Sequence, residues 1–359
     1  MSFDASLHPS TLAIHADQGM ETCSDIAPPI HMGLAFLLNH EENLVYNRRD
    51  QPTRQRLENV LGALEGGHAI VYSSGQAASK AVLDHLCPKR IAINRGYFGT
   101  YELFGIQHLE LISLEEEFRQ GDLVWLETPK NPDCEIEDIA YYADKAHSQG
   151  AQVLVNNTMA TPILQNPLQW GADFCLHSSS KYISGHADIL SGCLVVPDAE
   201  LAGVLRNERD IYGNILGNLE TWLLLRSLRT LSVRVKRQCE TASQIASWLE
   251  KQGFKVFYPS LASHPGRDIA QKQMKGAGGV VSFEMDTQEQ AESLVNHVSL
   301  FQNAVSYGCV ESLIHWTYQW HKNASSKLIR LAIGLEEPED LIKDLESSIE
   351  QTKKELGTV

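Results

Sequence analysis

The sequence FCLHSSSKYISGHADILSG, residues 174–192, decides the fold of this 359-residue chain because apolar strands and a polar turn meet in it. The apolar run ADFCLH (172–177) has the length and composition of a buried strand, and it ends at His177. Three serines and Lys181 follow, and a second apolar run, SGCLVV (191–196), begins soon after. Parallel sheets bind ligands at the carboxyl ends of their strands, so this turn is the first candidate for a functional site.

Five further apolar runs precede this stretch, and helical patterns separate them. They are HAIVYS (68–73), RIAIN (90–94), HLELIS (108–113), LVWLE (123–127) and QVLVN (152–156). Short strands that alternate with helices predict an α/β fold with a seven-stranded, mostly parallel sheet and helices on both faces.

The patterning divides the chain into three parts. Residues 1–45 show little periodicity and predict an extended N-terminal arm, whereas residues 46–232 contain the seven-stranded sheet. Residues 233–359 predict a smaller C-terminal α/β domain, and Pro338 opens its last helix. The strands predicted there are KVFY (255–258), VVSFEM (280–285) and LIRLAIG (328–334).

Composition excludes several classes of protein. The formal net charge of -15 argues against nucleic acid or an anionic membrane as a partner, since both need a basic face. No apolar run approaches the roughly 18 residues of a membrane span, and the first residues lack a leader pattern. Seven scattered cysteines without a CxxC pair indicate reduced thiols, and we expect a cytoplasmic location. Fourteen histidines without HExxH spacing predict no metal site.

Lys181 is the strongest single candidate for chemistry. A lysine just past a strand end, beside hydroxyl groups, can form an imine with an aldehyde once burial has removed its proton. Ser178 and Ser180 alternate on one side of the turn and are candidates for binding a phosphate. A lysine in a serine-rich loop is more often a solvated surface lysine, so this stretch alone leaves both interpretations open.

Further polar clusters follow other strand ends. In YSSGQAASKAVLDHL (72–86) a strand runs into a helix, whose free N–H groups attract phosphate, although such turns are common. No GxGxxG or GxxxxGKS motif supports a nucleotide-binding protein. The remaining candidates are Tyr97 in GYFGT, Glu127 and Asn131 in ETPKNP, Asn156 in NNT, and Tyr46 with Arg48 before the first long helix.

Together these motifs resemble the cystathionine synthase/lyase family of enzymes that use pyridoxal 5'-phosphate (PLP), and the resemblance covers almost the whole chain. It implies the type I fold of PLP-dependent transferases, with Lys181 as the catalytic Schiff-base lysine and base. It implies that Ser74, Gly75, Gln76, Ser178 and Ser180 hold the phosphate, and that Tyr97 stacks on the ring and helps catalysis. By the same resemblance, Asn131 contacts the phenolic oxygen of the ring, whereas Ser306 (in VSYGCVESLI) and Arg330 (in LIRLAIGLE) hold the substrate carboxylate.

The resemblance also implies a homodimer or homotetramer. Tyr46 and Arg48, in YNRRDQPTRQRLE, would reach the phosphate of a neighbouring subunit's cofactor. The expected ligand is a small amino acid that is cystathionine-like or a homoserine ester. Most family members perform γ chemistry, so the resemblance favours a cystathionine γ-lyase or γ-synthase. A cystathionine β-lyase and a methionine γ-lyase are the alternatives.

The largest departure from the family is Asn156, where the family has an aspartate that pairs with the protonated pyridine nitrogen. A neutral amide cannot offset that charge, so the ring should be a weaker electron sink. The expectation is weak or altered activity, and the alternative is a PLP-binding protein with little catalysis. The segments after Tyr97 and between Glu311 and Arg330 are also short, which leaves the substrate open.

Overall fold

The computed structural model describes residues 7–38 and 44–357. Backbone contacts divide the chain into two compact units, Met1–Glu127 with Asp138–Ser232, and Thr128–Glu137 with Val233–Val359. The segment Thr128–Glu137 lies within the predicted domain 46–232 in sequence, but in the structure it belongs to the second unit. The reason is tertiary: Cys134 Sγ contacts Val280 O at 3.4 Å, and Ser282 Oγ donates to Pro132 O at 2.6 Å.

The first unit contains the seven-stranded sheet, and every predicted strand in it is confirmed. The strands are β1 (His68–Tyr72), β2 (Arg90–Ala92), β3 (Glu110–Ile112), β4 (Leu123–Glu127), β5 (Gln152–Asn156), β6 (Phe174–His177) and β7 (Gly192–Val196). Their spatial order is β1-β7-β6-β5-β4-β2-β3. Strand β7 runs antiparallel to β1 and β6, and the other pairs are parallel, so the sheet is mostly parallel as expected.

Helices cover both faces of this sheet because alternate strand residues point to opposite sides. On β4, Leu123 and Trp125 join one apolar cluster, whereas Val124 and Leu126 join another. The helices are α1 (Pro9–His15), α2 (Pro52–Glu65), α3 (Gly75–Leu86), α4 (Phe98–Ile106), α5 (Ile139–His147), α6 (Thr161–Leu164), α7 (Ala199–Tyr212) and α8 (Asn218–Leu228). Helices α3 and α7 pack on the first cluster, and α5 packs on the second.

The prediction of an entirely extended arm is wrong at α1. Pro9 occupies the first turn of this helix, where its missing N–H costs nothing, and the His8 ring accepts from Ser10 N at 3.2 Å. Just after α1, the buried Asp17 carboxylate pairs with Arg56 and Arg229. Residues 1–6 and 39–43 of the predicted arm lie outside the described residues.

The second unit has a five-stranded sheet of order β10-β11-β12-β9-β8. Its elements are α9 (Leu231–Lys251), β8 (Lys255–Phe257), α10 (Arg267–Gln273), β9 (Val280–Glu284), α11 (Gln288–Leu294), β10 (Gln302–Asn303), β11 (Leu313–Trp316), β12 (Leu328–Ala332) and α12 (Pro338–Glu355). Two strands, β10 and β11, were not predicted, because one is two residues long and the other is a four-residue segment interrupted by His315. None of the described helices could cross a membrane.

A buried hydrogen bond between a carboxylate and a histidine joins the end of α2 to the end of β6, directly before Ser178. Glu65 and His177 have side chains that are each 1% exposed, and Asn157 Nδ2 also donates to Glu65 at 3.0 Å. Cys175 completes a group of three potential metal ligands. Since the histidine and the asparagine already engage this carboxylate, we interpret the group as a structural network that fixes the turn.

We expect Glu65→Ala to lower the free energy of unfolding by about 3 kcal/mol, because it leaves buried donors without their acceptor. Lys80→Ala is the control, since it breaks an exposed pair with Asp84 and should cost about 0.5 kcal/mol or less. Urea unfolding followed by circular dichroism measures both. Equal losses in the two variants would contradict a stabilising role for the buried pair.

Candidate active site

The turn from β1 into α3 lies against Ser178. A Cβ atom on Gly75 would lie 3.2 Å from Ser178 Cβ and would crowd it, and one on Gly192 would lie 2.2 Å from Ser74 O, so Gly192 has no room for a side chain. Ser74 Oγ accepts from Ala77 N at 3.0 Å and caps the helix. The first N–H groups of a helix have no intrahelical acceptor and attract anions. This turn therefore places anion-binding backbone beside a serine hydroxyl.

The start of α4 lies next to the start of α3. Gln76 Nε2 donates to Gly99 O at 2.6 Å, and a Cβ on Gly99 would lie 2.6 Å from Tyr97 Cε1. The Tyr97 side chain is partly open to solvent, at 41% exposure of the residue. Burial of the hydroxyl, together with the charges of Glu102 and Glu127, raises the pKa of Tyr97. The phenol is therefore a proton donor, not a phenolate, at neutral pH.

Glu127, at the end of β4, connects Tyr97 to Asn156. Its Oε2 atom accepts from Tyr97 N at 3.0 Å and from Asn156 Nδ2 at 3.3 Å. On the other side, Asn156 Oδ1 accepts from Thr158 N at 3.2 Å and from Thr158 Oγ1 at 2.6 Å. Thr158 Oγ1 in turn accepts from Ser178 N at 2.9 Å. Asn156 is therefore held on both sides.

A continuous chain of hydrogen bonds therefore runs from Ser178 through Thr158, Asn156 and Glu127 to Tyr97. At its Ser178 end it adjoins the start of α3, where a Cβ atom on Gly75 would crowd Ser178. Lys181 is half-buried and lies in the same turn as Ser178. Its backbone N–H donates to Ser178 O at 3.1 Å. The sequence places Glu127 and Thr158 in polar segments after strand ends but assigns neither a role, because only the folded structure shows which side chains they bind.

Ser180 lies in the same turn but binds a different partner. Its hydroxyl accepts from Ser191 N at 2.9 Å and contacts Ser191 O at 3.2 Å. A hydroxyl has one hydrogen to donate, so donation to a phosphate would require release of the Ser191 carbonyl. A role for Ser180 at the phosphate stays a prediction, as do the roles of Ser74, Gly75, Gln76 and Ser178.

The second unit brings three other candidates together. Arg330 Nη1 donates to Asn131 Oδ1 at 2.9 Å, and Arg330 Nη2 donates to Ser306 O at 2.7 Å. Ser306 has a φ of 96°, which is rare for a residue with a side chain. Arg330 is thus fixed at both ends of its guanidinium group, and the predicted roles of Arg330, Ser306 and Asn131 stay predictions.

Tyr46 and Arg48 lie in the first unit. Arg48 Nη1 donates to Asp210 O at 2.7 Å, and Tyr46 forms an isolated bridge with Ala35 and is 39% exposed. Their predicted role at a neighbouring subunit's cofactor stays a prediction.

His315 lies opposite Arg330 in the pairing of β11 with β12. Burial, with the Arg330 and His321 charges, lowers the pKa of His315 to about 4. Between pH 6.5, the ordinary pKa of histidine, and about pH 4, His315 binds a proton in the unfolded chain but not in the folded chain. The free energy of unfolding therefore decreases as the pH falls from about 6.5 to about 4.

We expect His315→Asn to remove this part of the acid sensitivity. The difference in unfolding free energy between wild type and variant should change by at most about 1.4 kcal/mol per pH unit across that window. Urea unfolding at pH 7, 6, 5 and 4.5 measures it, and His68→Asn, at an exposed histidine, is the control. Parallel pH curves for wild type and His315→Asn would contradict the prediction.

Comparison with known proteins identifies the family. Residues 10–350 match the model of the Cys/Met metabolism PLP-dependent enzymes. The chain is 36% identical over 339 residues to cystathionine β-lyase MetC of Bacillus subtilis, across 85% of this chain and 86% of that protein. It is 35% identical over 390 residues to an L-methionine γ-lyase of Fusobacterium nucleatum, across 95% and 98% of the two chains.

Solved structures support the same family. The crystal structure of cystathionine γ-synthase from Xanthomonas oryzae superimposes with a TM-score of 0.91 at 32% identity, covering 98% of this chain and 100% of that one. The chain therefore has the type I fold of PLP-dependent enzymes. Its relatives perform different reactions, so the comparisons support the class of enzyme and not one substrate. This chain belongs to the Cys/Met metabolism family of PLP-dependent enzymes, and it is a trans-sulfuration enzyme whose cofactor is PLP.

Proposed function

We propose that this enzyme cleaves the C–S bond of cystathionine-like amino acids, with Lys181 as the cofactor lysine and Arg330 as the anchor of the substrate carboxylate. The observation that supports the proposal most is the chain of hydrogen bonds that runs from Ser178, three residues before Lys181, to Tyr97, with the start of α3 against Ser178. It combines an anion-binding helix start, a partly exposed aromatic ring and a fixed amide, which are the groups that a phosphorylated pyridine requires.

The described residues fit PLP by their chemistry. Gly75 leaves room beside Ser178 that a Cβ atom would fill, and the backbone N–H groups of the α3 start suit a phosphate. Tyr97 offers an aromatic face to a flat ring. Asn156 offers a polar group to a ring nitrogen. We infer that these residues hold the cofactor.

Another lysine, Lys130, is more buried than Lys181, yet it is unsuited to be the nucleophile. Burial opposes its charge, but the Glu137 and Glu135 carboxylates, each 2.8 Å from Nζ, outweigh burial and raise its pKa. A lysine locked as an ammonium has no lone pair to attack an aldehyde. Lys181, in the serine turn, is the candidate that remains from the sequence argument.

PLP, when bound, supplies an electron-withdrawing ring that stabilises negative charge at the substrate Cα atom. The residues of the chain supply the rest. Arg330 orients the substrate by its carboxylate, and Lys181 Nζ accepts the Cα proton once it is neutral. Tyr97, whose phenol keeps its proton, donates that proton to the leaving sulfur.

A substrate panel on the purified holoenzyme tests the proposal. Cystathionine, homocysteine, methionine and O-acetylhomoserine are supplied separately, and pyruvate, 2-oxobutyrate and free thiol are measured. We expect release of a 2-oxo acid and a thiol from cystathionine. Stable PLP binding without release of a product from any of the four would instead identify a PLP-binding protein with little catalysis, which is the alternative that Asn156 motivates.

A further inference from the structure

The hydrogen bonds around Asn156 determine which way its amide group faces. Thr158 N can only donate, so the atom 3.2 Å from it is the amide oxygen Oδ1. The Glu127 carboxylate already accepts from Tyr97 N, and the atom of Asn156 that faces it at 3.3 Å is the amide nitrogen. Two independent neighbours, on opposite sides, therefore select the same orientation, and a flip would break both sets of hydrogen bonds.

This orientation leaves only a donor available on Asn156. Both lone pairs of Oδ1 are used, because the Thr158 backbone N–H and hydroxyl both donate to it. One hydrogen of Nδ2 points to Glu127. Among the residues that the structure describes, no third partner of this side chain is present, and Asn156 is half-buried. The remaining N–H is the group that a ligand would meet.

We propose that Asn156 donates this N–H to the pyridine nitrogen of PLP and so keeps the nitrogen unprotonated, which favours elimination at Cβ over elimination at Cγ. The inference rests on the proposed function, because it assumes PLP in the site. It goes further, since it assigns the protonation of the ring and the position of the bond that breaks. A protonated nitrogen would point its own hydrogen at another hydrogen, whereas an unprotonated one accepts the N–H.

The chemistry of the two eliminations explains the preference. In β-elimination the Cα proton goes to Lys181 Nζ, the C–H electron pair forms the Cα=Cβ bond, and the Cβ–S pair leaves with sulfur. In γ-elimination the first electron pair must be stored while a second proton leaves Cβ, and only then does the Cγ–S bond break. An unprotonated ring would stabilise that electron pair less well, so γ-elimination would be slowed more than β-elimination. This reverses the preference for γ chemistry that the family resemblance suggests, and favours a substrate with sulfur on Cβ.

The direct test is the nitrogen-15 chemical shift of the ring in holoenzyme reconstituted with ring-labelled PLP. We expect the unprotonated value in wild type from pH 6 to pH 9. Asn156→Asp replaces the donor with an acceptor and should give the protonated value. Because the new carboxylate would face Glu127, the double variant Asn156→Asp/Glu127→Gln removes the like charge and should give the protonated value more completely.

Asn94→Asp is the matched control. Asn94 also donates to a glutamate, Glu115, at 3.1 Å, and its Oδ1 accepts from Ser113 and Leu114, but it is exposed. Its variant should keep the wild-type shift. A protonated nitrogen in wild type, or an unprotonated one in both Asn156 variants, would overturn the proposal. Failure to bind PLP at Lys181 would overturn the proposed function instead, so the two failures are distinguishable.

Product ratios test the consequence for the reaction. Cystathionine yields pyruvate by β-elimination and 2-oxobutyrate by γ-elimination, so a single assay reports both routes. We expect pyruvate to dominate in wild type and the share of 2-oxobutyrate relative to pyruvate to rise about tenfold in the double variant. An excess of 2-oxobutyrate in wild type, or an unchanged ratio, would overturn the reaction preference.

Discussion

Lys181→Ala is expected to lower turnover of cystathionine by at least about 10³-fold, because the substitution removes both the amine that bonds the cofactor and the base that takes the Cα proton. Steady-state release of 2-oxo acid measures the loss. Lys181 stands in a turn with fixed hydrogen bonds: Ser178 N donates to Thr158 Oγ1, and Ser191 N donates to Ser180 Oγ. The fold of the variant should therefore survive, which circular dichroism checks.

A second measurement separates the chemical role of Lys181 from a structural one. Borohydride reduction of the wild-type holoenzyme should leave a pyridoxyl group on the peptide that contains Lys181, and the variant should lack it. Lys130→Met is the comparison at the other buried lysine, whose ammonium is paired with two carboxylates. A pyridoxyl group on any peptide other than that of Lys181 would show that the assignment is wrong.

Arg330→Lys is expected to raise the KM for cystathionine about 100-fold, with a smaller change in kcat. The guanidinium fork of Arg330 is oriented by Asn131 and Ser306, and a lysine ammonium cannot reproduce two parallel hydrogen bonds to a carboxylate. A hydrogen bond to a charged group contributes about 1.5–3 kcal/mol, and 2.7 kcal/mol corresponds to about 100-fold.

The absorbance of the bound cofactor should be unchanged in Arg330→Lys, since the substitution affects the substrate and not the lysine. Arg237→Lys is the control in the same unit, because Arg237 forms a partly exposed pair with Glu337. It should leave KM within about twofold, because exposed pairs contribute little. A fall in kcat at unchanged KM in Arg330→Lys would indicate that this arginine does not bind the substrate carboxylate.

Local patterning was enough to predict the large sheet. Each strand of the first unit is a short apolar run between polar segments, and buried parallel strands need apolar residues on both faces. Two short strands without such a pattern were not predicted: β10 consists of two exposed polar residues, and His315 interrupts the four residues of β11, so neither is a continuous apolar run. The helix α1 was not predicted, because the residues around it lack the regular spacing of apolar residues that indicates a helix.

The sequence by itself determined which residues are present at each strand end: a lysine after three serines, a glycine at the helix start, and an asparagine at position 156. Only the tertiary structure decided what these residues can do. Glu127 and Thr158 orient the Asn156 amide from 29 residues before it and two residues after it. Thr128–Glu137 groups with the second unit through contacts about 150 residues away along the chain, and so brings Asn131 to Arg330. Hydrogen-bond direction depends on neighbours that are distant in the chain, and no local pattern encodes it.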